Sequence, residues 1–396
     1  MGQEVLAPPP PEFSLKPPGL RALSANEADQ LLTAPQAGGQ ELPPWGPIHF
    51  HPHLLYRLSY GDGIQARPGE QSKTVINEIS PGLLLDVGSH WHLDYTPTLR
   101  FYSSSRFRDT TDQSVALDGG TAYQDWVFGL SQRYASSSQP LVETGAQTDQ
   151  ETYSTAINAA YSMSSKMSLD LAVSQNFRFV GEKITTQELS DSRTWSATAG
   201  LNYQFWPAFS AGLSATFSYD DLSVGSDMTS EQLQGRINWR AGNKLTFSFN
   251  GGLEDRQFLD SAAPDVLNPI FGLSMIYQLF EMTTLSINAN RAVSASYFRN
   301  QITESTALTV GVRQRLLGKL TLDVNGGYGT TSYRASATGL TISREDEHSS
   351  INVRLTCPFL KRGTASVFYS WSENSSNETD FKYSSSQVGL EIGFRY

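Results

Sequence analysis

The sequence predicts an all-β protein: a transmembrane antiparallel β-barrel of about eighteen strands, preceded by a proline-rich arm. Three observations carry this expectation. From residue 49 to residue 396 apolar and polar residues alternate with a period of two, and the phase hardly lapses. The alternating segments run for roughly ten to sixteen residues, against ~5–6 for strands of globular proteins. Their connections alternate between short turns and longer polar loops, the asymmetry of a barrel that crosses a bilayer.

Composition excludes several other classes. Charged residues make up 17% of the 396 positions, and mean hydropathy is slightly negative. No run approaches the ~20 apolar residues of a spanning helix. The formal net charge of −10 argues against nucleic acid as a partner, which calls for a basic face. The one cysteine, Cys357, excludes an intrachain disulfide and multi-cysteine zinc sites. It shares the phase of Ile351, Val353 and Leu355 and reads as a small apolar side chain. The opening "MGQEVLAPPP" has neither the basic nor the apolar region of a signal peptide.

Residues 1–48 form the arm. "APPPPEFSLKPPGL" and "ELPPWGP" favour extended polyproline conformations and cannot build a core. Within the arm, Ser24 and Glu27 have capping-box spacing in "SANEADQLL". The arm reads either as a linker or as a segment that docks or plugs. The barrel domain then occupies 49–396, with strands expected at 49–60, 73–88, 90–103, 111–121, 125–142, 151–163, 166–180, 191–206 and 208–222. The second half continues at 229–240, 243–257, 268–280, 283–297, 303–316, 319–334, 345–357, 363–376 and 381–396. A count of sixteen follows if 49–60 and 111–121 are not strands. Short links such as "GSH", "RAGNK" and "LLGK" mark one end. Polar stretches such as "VGEKITTQELSD" and "DDLSVGSDMTSEQ" mark the other.

The two faces of these strands are unlike. In "PAFSAGLSATFSY", Phe209, Ala211, Leu213, Ala215, Phe217 and Tyr219 alternate with Ser210, Gly212, Ser214, Thr216 and Ser218. If the apolar face meets lipid, closure of the sheet removes its edges, as a bilayer demands. Aromatic residues then form two interfacial belts. One is expected from Trp91, Trp126, Trp195, Phe205, Trp206, Phe280, Phe394 and Tyr396, although Trp195 stands at the far end of its strand. The other is expected from Phe179, Tyr219, Tyr297, Tyr333 and Trp371. Arg291 shares the lipid-facing phase of Leu285 and Ile287, so it must either reach the headgroups or be turned inward by a bulge.

The chain ends on "QVGLEIGFRY", with Val388, Leu390, Ile392, Phe394 and Tyr396 on one face. A last strand of this pattern, closed by a terminal aromatic, resembles the assembly signal of Gram-negative outer-membrane β-barrels. The whole of 49–396 resembles a porin-like member of that class. The resemblance implies an outer-membrane location reached after removal of a signal peptide. It implies contact with outer-membrane lipid and lipopolysaccharide, and with the barrel assembly machinery that reads the last strand.

Strand phase places one set of charged residues inside: Asp94, Arg100, Asp125, Arg133, Asp170, Arg178, Arg236, Arg240, Glu254, Arg313, Arg315, Asp323, Arg354, Glu391 and Arg395. Such a set either lines a wet channel for small hydrophilic solutes or cross-links a filled interior by ion pairs. Two other functions stay open. One is a secretion or polysaccharide-export component whose residues 1–48 bind a periplasmic partner. The other is a closed structural or adhesion barrel. His51 and His53 share a face, and His92 joins them, but no carboxylate motif of metal-site spacing accompanies them. The acidic loops lack calcium-loop spacing, and no nucleophile motif is present. Neither a cofactor nor catalysis is expected.

Overall fold

The computed structural model describes residues 48–181, 189–259, 261, 263–337 and 342–396. Apart from Ile48, the expected arm lies outside the described residues. Strands β1 (Ile48–Arg67) and β2 (Glu70–Val87) begin the sheet. Strand β3 has two halves, Trp91–Tyr95 and Thr98–Tyr102. Pro97, between them, lacks an N–H and pulls the ladder apart locally. Thr96 and Ser114 nevertheless exchange both backbone hydrogen bonds, at 2.8 and 3.2 Å, and both halves pair with the same two neighbours.

Fifteen further strands follow: β4 (Thr110–Tyr123), β5 (Trp126–Leu141), β6 (Ala146–Ser162), β7 (Met167–Val180), β8 (Ser192–Trp206), β9 (Phe209–Leu222), β10 (Met228–Ala241) and β11 (Leu245–Phe258). Then come β12 (Val266–Phe280), β13 (Thr283–Ala295), β14 (Gln301–Leu316), β15 (Leu320–Ala335), β16 (Glu345–Phe359), β17 (Gly363–Ser376) and β18 (Tyr383–Arg395). Each strand pairs antiparallel with its sequence neighbours, and β1 pairs with β18 from His53↔Arg395 to Asp62↔Ser386. The barrel is therefore closed and eighteen-stranded. Both chain ends of the barrel lie at the short-turn end, where the Tyr396 N–H reaches the Pro52 carbonyl at 2.9 Å.

The faces are inverted relative to a soluble protein. Leu213 is 64% exposed while its neighbour Ser214 is 6% exposed, and Val173 at 61% sits beside Ser174 at 8%. An apolar surface of that kind is stable only against lipid.

Three expectations change in detail. Some loops are shorter than expected, because β1 runs to Arg67 instead of ending at residue 60 and β6 starts at Ala146 instead of residue 151. Trp195 belongs to the loop-end girdle, where it packs 5.2 Å from Phe177 and 5.9 Å from Tyr219. Tyr297 and Tyr333 belong to no belt; each is 4% exposed, buried inside the loop end. Arg291 keeps its outward phase without a bulge. Its guanidinium binds the Pro269 carbonyl at 3.1 Å, Thr306 at 3.0 Å and Glu304 at 3.0 Å.

Candidate permeation pathway

The inner wall carries a ladder of alternating charges that follows the cross-strand rows. Starting on β14, Arg313 Nε reaches Asp323 at 2.6 Å, and Asp323 lies opposite Arg354 in the β15–β16 register. Arg354 binds Glu391 at 2.5 Å, and Glu391 binds Arg57 at 2.9 Å across the closing seam. Arg57 then meets Glu78 at 3.4 Å, Glu78 meets Arg100 at 2.6 Å, and Arg100 meets Asp112 at 2.7 Å. Phe368, on the intervening β17, lies under both Arg57 and Arg354, with ring centroids 4.9 and 5.6 Å from the guanidinium carbons. Each charge of this ladder thus has an opposite charge on an adjacent or next-adjacent strand, the condition under which half-buried charges are tolerated.

On the other side of the barrel Arg236 of β10 reaches Asp170 of β7 at 3.5 Å, passing over β9 and β8. Glycines make this possible. Gly212 lies opposite Arg236 and Gly200 lies opposite Asp170. A Cβ at Gly200 would stand 2.6 Å from Arg236 Nη2. Asn202 also donates to Asp170. Nearer the loops, Arg256 is 3% exposed and sits 2.8 Å from Glu254 and 3.3 Å from Asp220.

Loops from several sides of the barrel meet over its loop end. Glu143, between β5 and β6, accepts from Ser296 Oγ at 2.5 Å and from the Tyr297 N–H at 2.7 Å, both between β13 and β14. Arg344, between β15 and β16, donates to the Glu143 carbonyl at 2.8 Å and covers the Phe381 ring at 3.5 Å. Arg178 lies 3.9 Å over the Tyr297 ring, whose hydroxyl donates to Gln150 at 2.7 Å. Burial pushes the Tyr297 phenol up from its ordinary value, with Arg178 opposing. Loop 296–300 is therefore a described segment that crosses the lumen, and it meets the opposite wall.

The expected inward residues fall into several groups. Arg100, Arg313, Asp323, Arg354 and Glu391 are in the ladder. Asp170 and Arg236 form the brace, while Glu254 and Arg178 lie beneath the loops. Arg133 faces Asp118 at 3.9 Å with 53% of its side chain exposed, and Asp94 accepts from Thr96 at 2.8 Å. Arg240, Arg315 and Arg395 line the short-turn end. Asp125 lies in the turn 124–125, not on a strand. Arg57, Glu78, Asp112, Arg256, Glu143 and Arg344 were not anticipated. The first four share their strands' polar phase, so that signal was present; the last two lie in loops.

His51 and His92 both contact Asp86, at 3.2 and 2.5 Å, and His53 contacts Thr96 at 3.0 Å. Among the described residues, no group of three or more His, Cys, Asp or Glu side chains is arranged to hold a metal ion.

A closed eighteen-strand barrel with lipid-facing apolar residues and a charged inner wall defines an outer-membrane β-barrel of porin type. Residues 181–396, more than half the chain, match the family described as "Putative beta-barrel porin 2", and the chain belongs to that family. Solved structures similar to it include Pseudomonas aeruginosa OpdL, with 13% identity, a TM-score of 0.47, and coverage of 88% of this chain and 98% of that one. Pseudomonas aeruginosa OprD matches with 11% identity and a TM-score of 0.44, covering 88% of this chain and 95% of that chain. Acinetobacter baumannii OccAB1 matches with 11% identity and a TM-score of 0.46, covering 87% and 96%. No curated protein matches the sequence.

Proposed function

We propose that the protein is a channel for passive diffusion of small hydrophilic solutes across the outer membrane, with the short turns facing the periplasm. The observation that carries this reading is the exposure of inward-facing polar side chains below the loops. Asn288, Asn325, Arg133 and Arg315 point to the lumen yet remain exposed, so the interior there is solvent space rather than packed core. The ladder and the Arg236–Asp170 brace set a field across that space. Loop 296–300 narrows the far end. Lipid and lipopolysaccharide cover the outer wall, and the strand ending in Phe394 and Tyr396 serves assembly.

Single-channel conductance of the full chain in a planar bilayer tests the reading. Steady conductance, with ion selectivity that changes in Arg133→Gln, is the expected result. Silence from a folded barrel, persisting when loop 296–300 is shortened, would overturn it and favour a closed structural barrel.

A further inference from the structure

The geometry points to a binding site for a small oxyanion, a carboxylate or phosphate group, at the loop-end rim between the β1–β2 hairpin and the loop 103–109. A pocket of about 350 Å³ opens there, and Arg67, Arg106 and Arg108 line it together with Ser105, Phe107 and Asp149. Three arginines stand against two carboxylates, Asp149 in the lining and Glu70 beside Arg106, so the local charge stays positive.

The pocket is built, not a chance meeting of surface side chains. Bulges between Gly61 and Ile64 and between Gln65 and Arg67 bend the hairpin tip. Ile64 and Ala66 are then buried with Phe107 and Ile76. Gln65 ties the tip to the Asp380 carbonyl at 2.7 Å. From the other side, Phe107 stacks on Tyr102 with centroids 5.0 Å apart. Gln147, 8% exposed, clamps Arg108 by accepting its N–H at 3.0 Å and donating to its carbonyl at 2.9 Å. Both backbone segments that carry the arginines are thus fixed before any ligand arrives, which lowers the cost of binding.

The remaining donors suit an oxyanion. Arg106 uses Nη1 for Glu70 at 2.9 Å and for Ser72 at 3.1 Å. Arg108 uses Nη2 for Asp149 at 2.5 Å. Each guanidinium has five N–H donors in a planar fork that matches carboxylate and phosphate oxygens two at a time. Glu70 pairs with Arg106 from outside the lining and offsets part of its charge without occupying the pocket. The volume is at the low end of small-molecule sites, ~300–1,000 Å³, and fits a small solute or one headgroup phosphate.

Calorimetric titration of the full-length, detergent-folded chain with inorganic phosphate, then with acetate, tests the site. Saturable binding is expected, weakened about tenfold or more in Arg67→Gln and in Arg106→Gln. Arg106→Lys, which keeps the charge and loses the fork, is expected to lose an intermediate amount. Lys73→Gln removes an equal charge nearby; Lys73 pairs with Asp62 at 2.9 Å outside the pocket, and this change is expected to leave binding intact. Heat-modifiable migration on gels confirms that each variant is folded. Repeating the titration in nanodiscs containing lipid A separates the sources of the oxyanion: competition assigns the site to a lipid headgroup phosphate, and unchanged binding assigns it to free solutes. Absence of saturable binding in the folded wild type, or equal losses in Lys73→Gln and Arg106→Gln, would overturn the proposal.

Discussion

Glu143 and Tyr297 stand on loops more than 150 residues apart in sequence, and the Glu143 carboxylate accepts the Tyr297 backbone N–H at 2.7 Å. The same oxygen takes the Ser296 hydroxyl, so one side chain fastens the loop that crosses the lumen. Charge-assisted bonds of this kind are the strong ones, at ~1.5–3 kcal/mol each. Glu143→Ala removes both. The expected outcome is a larger or more frequently open conductance, with the barrel's migration on gels unchanged. A cysteine pair, Glu143→Cys with Ser296→Cys, should hold conductance low until a reductant is added.

The Tyr297 hydroxyl reports on the same latch through pH. Burial raises its folded-state value above the ordinary 10.0, so the neutral phenol is favoured in the closed loop. The sign follows: the stabilisation is complete below pH ~10 and is lost as pH climbs through the raised value. Open probability should therefore rise in strongly alkaline solution. Tyr297→Phe, which lacks the proton, should flatten that rise; an unchanged alkaline profile in this variant would assign the effect to another group.

Gly200 is required by a side chain two strands away. A branched residue there meets the Arg236 guanidinium, whose terminal nitrogen would lie 2.6 Å from the new Cβ. Gly200→Val should displace Arg236 and leave Asp170 without its cationic partner, costing about 2–3 kcal/mol in urea unfolding. In an Arg236→Ala background the same substitution should cost much less. That difference, read as a double-mutant cycle, isolates the contact.

Glu391 joins two arginines across the seam between β18 and β1, at 2.5 and 2.9 Å. Glu391→Gln leaves Arg354 and Arg57 sharing one side of the lumen without their common partner. A loss of about 3 kcal/mol is expected, at the low end for a broken buried pair because lumen water can reach the site. Replacing Arg354 and Glu391 together by Met and Leu should cost less than the single change. Equal losses would mean that packing, not charge, dominates at the seam.

Much of this was legible in the residues themselves. Strict two-residue phase placed Arg313, Asp323, Arg354 and Glu391 on one face, because a strand offers only two faces. Phase alone cannot say that these residues lie in one row, since that depends on the register between strands. The Arg236–Asp170 contact is further removed, because it needs the register of four strands and glycines at two of them. Tyr297 and Tyr333 looked like girdle residues because each stands at the loop end of an expected strand. Tyr297 lies beyond the end of β13 at Ala295, where strand phase no longer applies, whereas Tyr333 shares the inward phase of Asp323, opposite to Tyr328, so its burial could have been read from phase. The Glu143 contact joins opposite walls through loops that carry no periodicity, so no local pattern could have signalled it.

Glu304 is 5% exposed and lies on the lipid-facing phase of β14, between Arg291 at 3.0 Å and Arg334 at 3.0 Å. A lone arginine on this face costs ~0–1 kcal/mol near the interface and ~2–4 kcal/mol at the midplane. The carboxylate offsets that cost for two arginines at once, which explains why β13 keeps its phase at Arg291 without a bulge. Glu304→Gln should destabilise the barrel in urea by about 2 kcal/mol. Adding Arg291→Leu should recover most of the loss, because the charge that lacked a partner is gone. If the double variant is less stable than Glu304→Gln, Arg291 contributes chiefly through the Pro269 carbonyl and Thr306, and the outer charge balance is secondary.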